Sequence, residues 1–180
     1  MEAANIACFS ESHWLVIARG FDTESWFADG QGVGTGGILA PRIIDLPTGN
    51  RYYRFASSTS SRSAQIGGGW WIDFENFSTI ERYGRTHGID LAYAARLFLA
   101  LPVDWTRVDR LVSAFLAVPL RAYAGKGKVA NSGGEKWTPM QHVQVTQLYI
   151  PGLYRKGRSS QLYERAFPNP KTEYVANRKS

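Results

Sequence analysis

At 180 residues, 44% hydrophobic and 13% aromatic, the chain is long enough to bury one sizeable core and reads as a single domain over 1–180. Eighteen glycines favour loops and turns over long helices, and a lone cysteine, Cys8, excludes an internal disulfide and a cysteine-rich zinc site. No apolar run approaches the roughly 20 residues of a membrane helix, and no basic-then-apolar leader opens the chain, so the expected setting is the cytoplasm or a cell into which the protein is delivered, with no membrane partner.

Residues 10–18 (SESHWLVIA) predict a short helix capped by Ser10 or Ser12. Residues 30–37 read structurally, as a mobile connecting loop; GK[ST] is missing, so no P-loop is present. Residues 38–45 look extended, 46–50 carry a turn signal, and 51–56 alternate enough aromatic bulk for a strand. A second strand is expected over 70–74, approached through Gly67, Gly68 and Gly69. Ser78-x-x-Glu81 has capping-box spacing, which starts a helix near Phe77 and stops it at Gly84 or Gly88.

Residues 90–101 give the clearest helix, with Asp90 able to cap it and Pro102 ending it. Strands follow at 111–118 and 120–123, with Pro119 marking an edge or bulge, then loops at 125–128 and 131–134. Residues 142–150 (HVQVTQLYI) alternate cleanly and make the best strand, closed by Pro151-Gly152. Strands outnumber long helices without βαβ alternation, so the expected fold class is α+β, with a mostly antiparallel, strongly bent sheet and a few short helices.

The net charge of +6 is uneven. Residues 1–50 set Arg19 and Arg42 against six carboxylates, whereas residues 154–180 set seven cations against two. The chain therefore divides into an N-terminal helical and loop portion (1–50), a core (51–153) and a basic C-terminal tail (154–180). Such a tail either attracts nucleic acid or an acidic partner, or simply keeps a terminus solvated.

Residues 51–71, RYYRFASSTSSRSAQIGGGWW, concentrate cations, small hydroxyls, glycines and flat rings, a combination suited to an anionic ligand that carries an aromatic ring. A nucleotide is the obvious candidate. Arg54, between Tyr53 and Phe55, can fork onto a phosphate or ribose and stays charged. Ser57 to Ser61 supply short donors beside it. Trp70 and Trp71, on consecutive strand positions, must face opposite ways, one filling the core and one free to stack on a ring. Other chemistries find less support. His13, His87 and His142 are scattered, no HExxH or GxSxG occurs, and nothing in the spacing selects a pair from Glu75, Glu81 and Glu135.

An arginine on an early strand (YYRF), a Gly-Gly-x-Trp turn into the next strand, a short helix and a late strand QVTQLYIPGL together resemble the ADP-ribosyltransferase superfamily. The likeness covers residues 51–153 and is similar in particular to compact bacterial toxin and effector domains, including the RES-type group. It implies a bent, split sheet gripping NAD+ as substrate, a macromolecular acceptor of ADP-ribose that is protein or nucleic acid, and, for a toxin, a cognate immunity protein. Carried over, Arg54 holds the NAD+ phosphates or nicotinamide ribose, and Gly69 and Trp70 line the nicotinamide pocket with Trp71 as the other indole. Ser57 opens a run that resembles the family's Ser-Thr-Ser element in composition but follows the arginine almost directly.

On the late strand the family usually places a glutamate, whereas this chain has Gln144 and Gln147. An amide can orient a ribose hydroxyl but brings no charge to an oxocarbenium-like state, and losing such a contact can cost roughly 10²–10³ in rate. Gln147 would stand where the ribose-contacting group belongs, with Glu135 or Glu75 as outside sources of an acid. Two rival readings need no catalysis: a module tracking single-stranded nucleic acid with its basic and aromatic groups, and a protein-interaction module anchored by Trp and Tyr.

Overall fold

The computed structural model describes residues 2–20, 36–132, 135–140, 143 and 145–178. A 3-10 turn over Ile6–Ser10 leads into α1 (Ser12–Arg19), but neither expected serine caps it: Ser10 ends the turn by donating its hydroxyl to Ala7 O. Then come β1 (Ile38–Leu46), β2 (Arg51–Ala56) and α2 (Arg62–Gly67), the last unforeseen, with Ser61 Oγ accepting from Ala64 N as its cap. β3 (Trp70–Asp73) runs directly into α3 (Phe74–His87). Asp73, not the Ser78 box, caps α3, accepting from Asn76 N at 2.8 Å, so the helix begins earlier than expected and ends at left-handed Gly88. α4 (Leu91–Leu99) is capped by Asp90 as its sequence indicates.

β4 (Arg110–Phe115) and β5 (Leu120–Gly127) follow, with β6 (Ala130–Ser132) and β7 (Glu135–Trp137) forming a small separate pair. β5 continues through residues where a loop was expected. A Cβ on Gly125 would come within 2.6 Å of Ile38, so this glycine serves close strand approach rather than a turn. β8 (Thr146–Tyr149) is four residues where nine were expected; its first amide, Thr146 N, donates to Asn76 Oδ1 of α3, and ahead of it Met140 N donates to Leu97 O of α4. His142, Gln144 and most of the 30–37 loop lie outside the described residues.

The segment expected to be a basic tail is folded. It supplies α5 (Leu162–Ala166) and β9 (Lys171–Tyr174), which pairs with β4, and it buries Ala166, Phe167 and Val175. No helix among the described residues is long and apolar enough to cross a membrane.

The fold is α+β, with one seven-stranded sheet in the order β1-β5-β8-β3-β2-β4-β9, every described pairing antiparallel. The two halves of the sheet join at β3. Trp70 and Trp71 pair with Tyr149 and Leu148 of β8, whereas Ile72 and Asp73 pair with Tyr53 and Tyr52 of β2. Each half of one short strand thus follows a different neighbour, and the sheet parts between β2 and β3 beyond Tyr53. Alternation then sorts the faces. Tyr52, Ala56, Trp71 and Leu148 join the core under α5, while Tyr53, Phe55 and Ile72 pack under α3 and α4. On that second face a further cluster gathers Trp70, Tyr149 and Tyr123 under α1. The two helix-covered clusters leave a seam.

Candidate functional site

The seam holds a cavity of about 280 Å³, lined by Arg54, Trp70, Gln147, Leu99 and Trp105, with Ile17 of α1 on its far side. Apolar side chains dominate the wall, with one cation and one amide among them, the arrangement of a small-molecule site oriented by few polar groups.

Arg54 spans the split between β2 and β3. Its Nε donates to Gln65 O at 2.9 Å and its Nη1 to Trp70 O at 2.9 Å; Nη2 approaches Ala64 O at 3.5 Å. Trp70 O, beyond the paired residues of β2, thereby receives from a side chain the donor that a continued ladder would have supplied. No carboxylate pairs with Arg54 among the described residues, and burial pushes the guanidinium down to about 10. It still carries its charge at neutral pH. Gly68 makes room for it: a Cβ there would sit 2.0 Å from Nη2. At this position the glycine's use is space, since its backbone (φ −64°, ψ 145°) suits any residue.

The paired indoles separate as strand geometry requires. Trp71 is 2% exposed, stacks on Phe167 at 4.4 Å and donates Nε1 to Gly68 O, so its ring packs in the core although the residue also borders the cavity. Trp70 is half-buried, tilts against Tyr149 at 5.0 Å and lines the cavity. Gln147 is buried, its Nε2 donating to Leu99 O at 3.2 Å, and a side chain on Gly127 would collide with that nitrogen. Arg54, Trp70 and Gln147 are therefore brought together from three strands.

Other anticipated residues fall elsewhere. Ser57 bonds to Thr59 at 2.8 Å and does not line the cavity. The rest of the serine run has structural partners: Ser58 binds Asp109 through amide and hydroxyl, and Ser61 caps α2. Gly69 lets the chain pass Tyr149, where a Cβ would approach within 2.6 Å, but it is not a wall residue. Glu75 and Glu135 are exposed, Glu135 accepting from Trp137 Nε1, and neither reaches the cavity. Gln144 lies outside the described residues.

One wall was missed. Arg96 of α4 donates from Nη1 to Leu101 O and Pro102 O, and from Nη2 to Thr106 O and Arg107 O, all within 3.1 Å. Burial lowers its pKa, with Asp90 opposing. This brace holds the loop that presents Trp105, 48% exposed, at the cavity. It also surrounds Ala100, whose φ of 48° is left-handed and strained for a residue with a Cβ. Asp104 bonds to Ser132 and ties the loop to β6. The readable signals were an arginine on the apolar Leu91–Leu99 helix and an aromatic stranded in a Pro-bounded loop.

No family model matches the sequence, and no curated protein matches it. Among solved structures the chain is similar to Tne2 in its complex with Tni2, at 15% identity and a TM-score of 0.40, covering 62% of this chain and 81% of that one. A likeness this loose carries no argument about activity.

Proposed function

We propose that the cavity binds NAD+ and that the domain is an ADP-ribosyltransferase-like toxin or effector module, cleaving the nicotinamide–ribose bond and passing ADP-ribose to a macromolecular acceptor. One observation carries the reading: a guanidinium without a carboxylate partner among the described residues shares an apolar cavity with a half-buried indole and a buried amide. In this reading the remaining Arg54 N–H groups meet the pyrophosphate or ribose, Trp70 covers the pyridine ring, and Gln147, its nitrogen committed to Leu99 O, offers its oxygen to a ribose hydroxyl. At about 280 Å³ the cavity suits the nicotinamide riboside end, with the adenylate lying outside its mouth.

The chemistry follows from the wall. Bond cleavage puts positive charge on the ribose, and the amide of Gln147 orients without neutralising it. Binding is therefore expected to be easier to detect than turnover. Calorimetric titration with NAD+ should give saturable heat, weakened at least about tenfold (1.4 kcal/mol) in Arg54→Lys, which keeps charge but loses the fork. Incubation with adenylate-labelled NAD+ and cell lysate should yield covalently labelled macromolecules. Absence of saturable binding to the parent protein sinks the reading. Binding without labelled product reduces it to a nucleotide-binding module.

A further inference from the structure

A second cleft lies at the other end of α1. Ile17 and Gly20 belong to the first cavity, whereas Cys8 and Glu11, just ahead of the helix, line a cleft of about 390 Å³ with Arg155, Arg158, Ser160 and Arg165. Its charges do not balance. Arg155 Nη2 donates to Glu11 Oε1 at 2.6 Å and to Cys8 Sγ at 3.1 Å, and its guanidinium lies 5.4 Å from the Trp14 ring centre. That hydrogen bond holds Glu11 below its usual carboxylate range, so the acid is fully committed. Glu164 is occupied as well, accepting from Gln161 N. The side chains of Arg158 and Arg165 have no hydrogen-bond or ion-pair partner among the described residues.

The loop carrying these arginines is built rather than loose. Gln161 is buried; its Oε1 accepts from Arg155 N at 2.8 Å, and its Nε2 donates to Arg155 O and Arg158 O, both at 2.9 Å. A single buried amide therefore fixes the backbone at two cationic positions. Buried polar side chains are tolerated when their bonds are all made, as here. A preformed loop lowers the ordering cost of binding.

We propose that this cleft is an oxyanion site that receives a phosphate monoester. Two uncompensated guanidiniums match the charge of about −1.5 to −2 that such a group carries at neutral pH, better than they match a singly charged carboxylate. Their forked donors suit its three oxygens, and the Ser160 hydroxyl adds another donor. The phosphate belongs either to a small phosphorylated molecule or to a phosphorylated side chain of a partner protein. The assignment is independent of the NAD+ reading.

The test is titration with inorganic phosphate against a chloride background of constant ionic strength. The parent protein should bind saturably, and Arg158→Gln/Arg165→Gln should weaken binding at least tenfold. Both side chains are exposed and unpartnered, so the melting temperature of that double variant should not move. Glu11→Gln should tighten binding by freeing Arg155. Tighter binding of a phosphoserine peptide that the double variant loses supports the site and assigns it to a protein partner; tighter binding of AMP that the double variant loses supports it and assigns a small ligand. Phosphate binding no stronger than chloride, or unchanged in the double variant, overturns the proposal.

Discussion

Two arginines near the first cavity each brace the backbone by donating to carbonyls, Arg96 to the loop that carries Trp105 and Arg54 to α2 and β3. Arg96 commits four of its five N–H groups to the carbonyls of Leu101, Pro102, Thr106 and Arg107. Arg54 makes two short bonds, to Gln65 O and Trp70 O, and one long approach to Ala64 O. The same side chain therefore does different work on the two walls. A guanidinium saturated by carbonyls is a strut, while one left with unfilled donors beside an open cavity can also grip an anion.

The largest expected effect is on stability, from the saturated strut. Arg96→Ala should lower stability by about 3 kcal/mol, or roughly 6–12 °C in melting temperature for a domain of this size, with NAD+ affinity falling only through displacement of Trp105. Arg54→Ala should cost less, about 2 kcal/mol, yet abolish NAD+ binding altogether. Thermal melts and titrations on the pair check the contrast. Equal stability losses with binding intact in Arg54→Ala would make both arginines mere struts.

Gly68→Ala sharpens the same contrast without touching either arginine. Its backbone accepts alanine, but the new Cβ occupies the place of the Arg54 guanidinium. NAD+ affinity should drop about tenfold for a stability loss near 1 kcal/mol. An unaltered titration would show that the position of Arg54 does not matter to the ligand.

Gln147→Glu removes the donor that meets Leu99 O and sets a carboxylate against a carbonyl. Stability should fall by about 1–2 kcal/mol, while NAD+ cleavage should rise, by up to about 10²-fold, if charge is what the wall lacks. Released nicotinamide is the measure. Trp105→Ala, at an exposed rim, should leave the melt within about 0.5 kcal/mol and weaken NAD+ about fivefold to tenfold.

The smallest effect expected is that of pH. Burial pushes Arg54 down to about 10, so it remains charged across the neutral range. Because its folded value lies below its ordinary one, the stability cost of burying its charge is present at neutral pH and is relieved only as pH rises through 10. Titrations from pH 6 to 9 should give one NAD+ affinity as far as Arg54 governs it, and a step within that window would implicate another group.

Much of this was legible because it is local. The aromatic strand at Arg51–Ala56, the Asp90 cap and the Pro151-Gly152 turn depend on neighbours a few residues away, and so do the opposite facings of Trp70 and Trp71. Less legible was α2, only six residues long, although Ser61 stood in place to cap it. The C-terminal segment misled because its seven cations outweigh the few apolar residues, Ala166, Phe167 and Val175, that anchor it. Trp105 showed in the sequence only as an aromatic in a Pro-bounded loop, since its presentation depends on Arg96 reaching carbonyls up to eleven residues away.

By itself the sequence determined an α+β chain of antiparallel strands carrying an arginine, two indoles on opposite faces and a glutamine, since side-chain alternation and capping act over a few residues. Only the tertiary structure decided that Arg54, Trp70 and Gln147 meet. β3 gives one half of its length to β8 and the other to β2, and the gap this opens is where Arg54 replaces a missing ladder bond beside Trp70 and Gln147. Strand pairing of that kind joins residues almost eighty positions apart, and no local pattern specifies it.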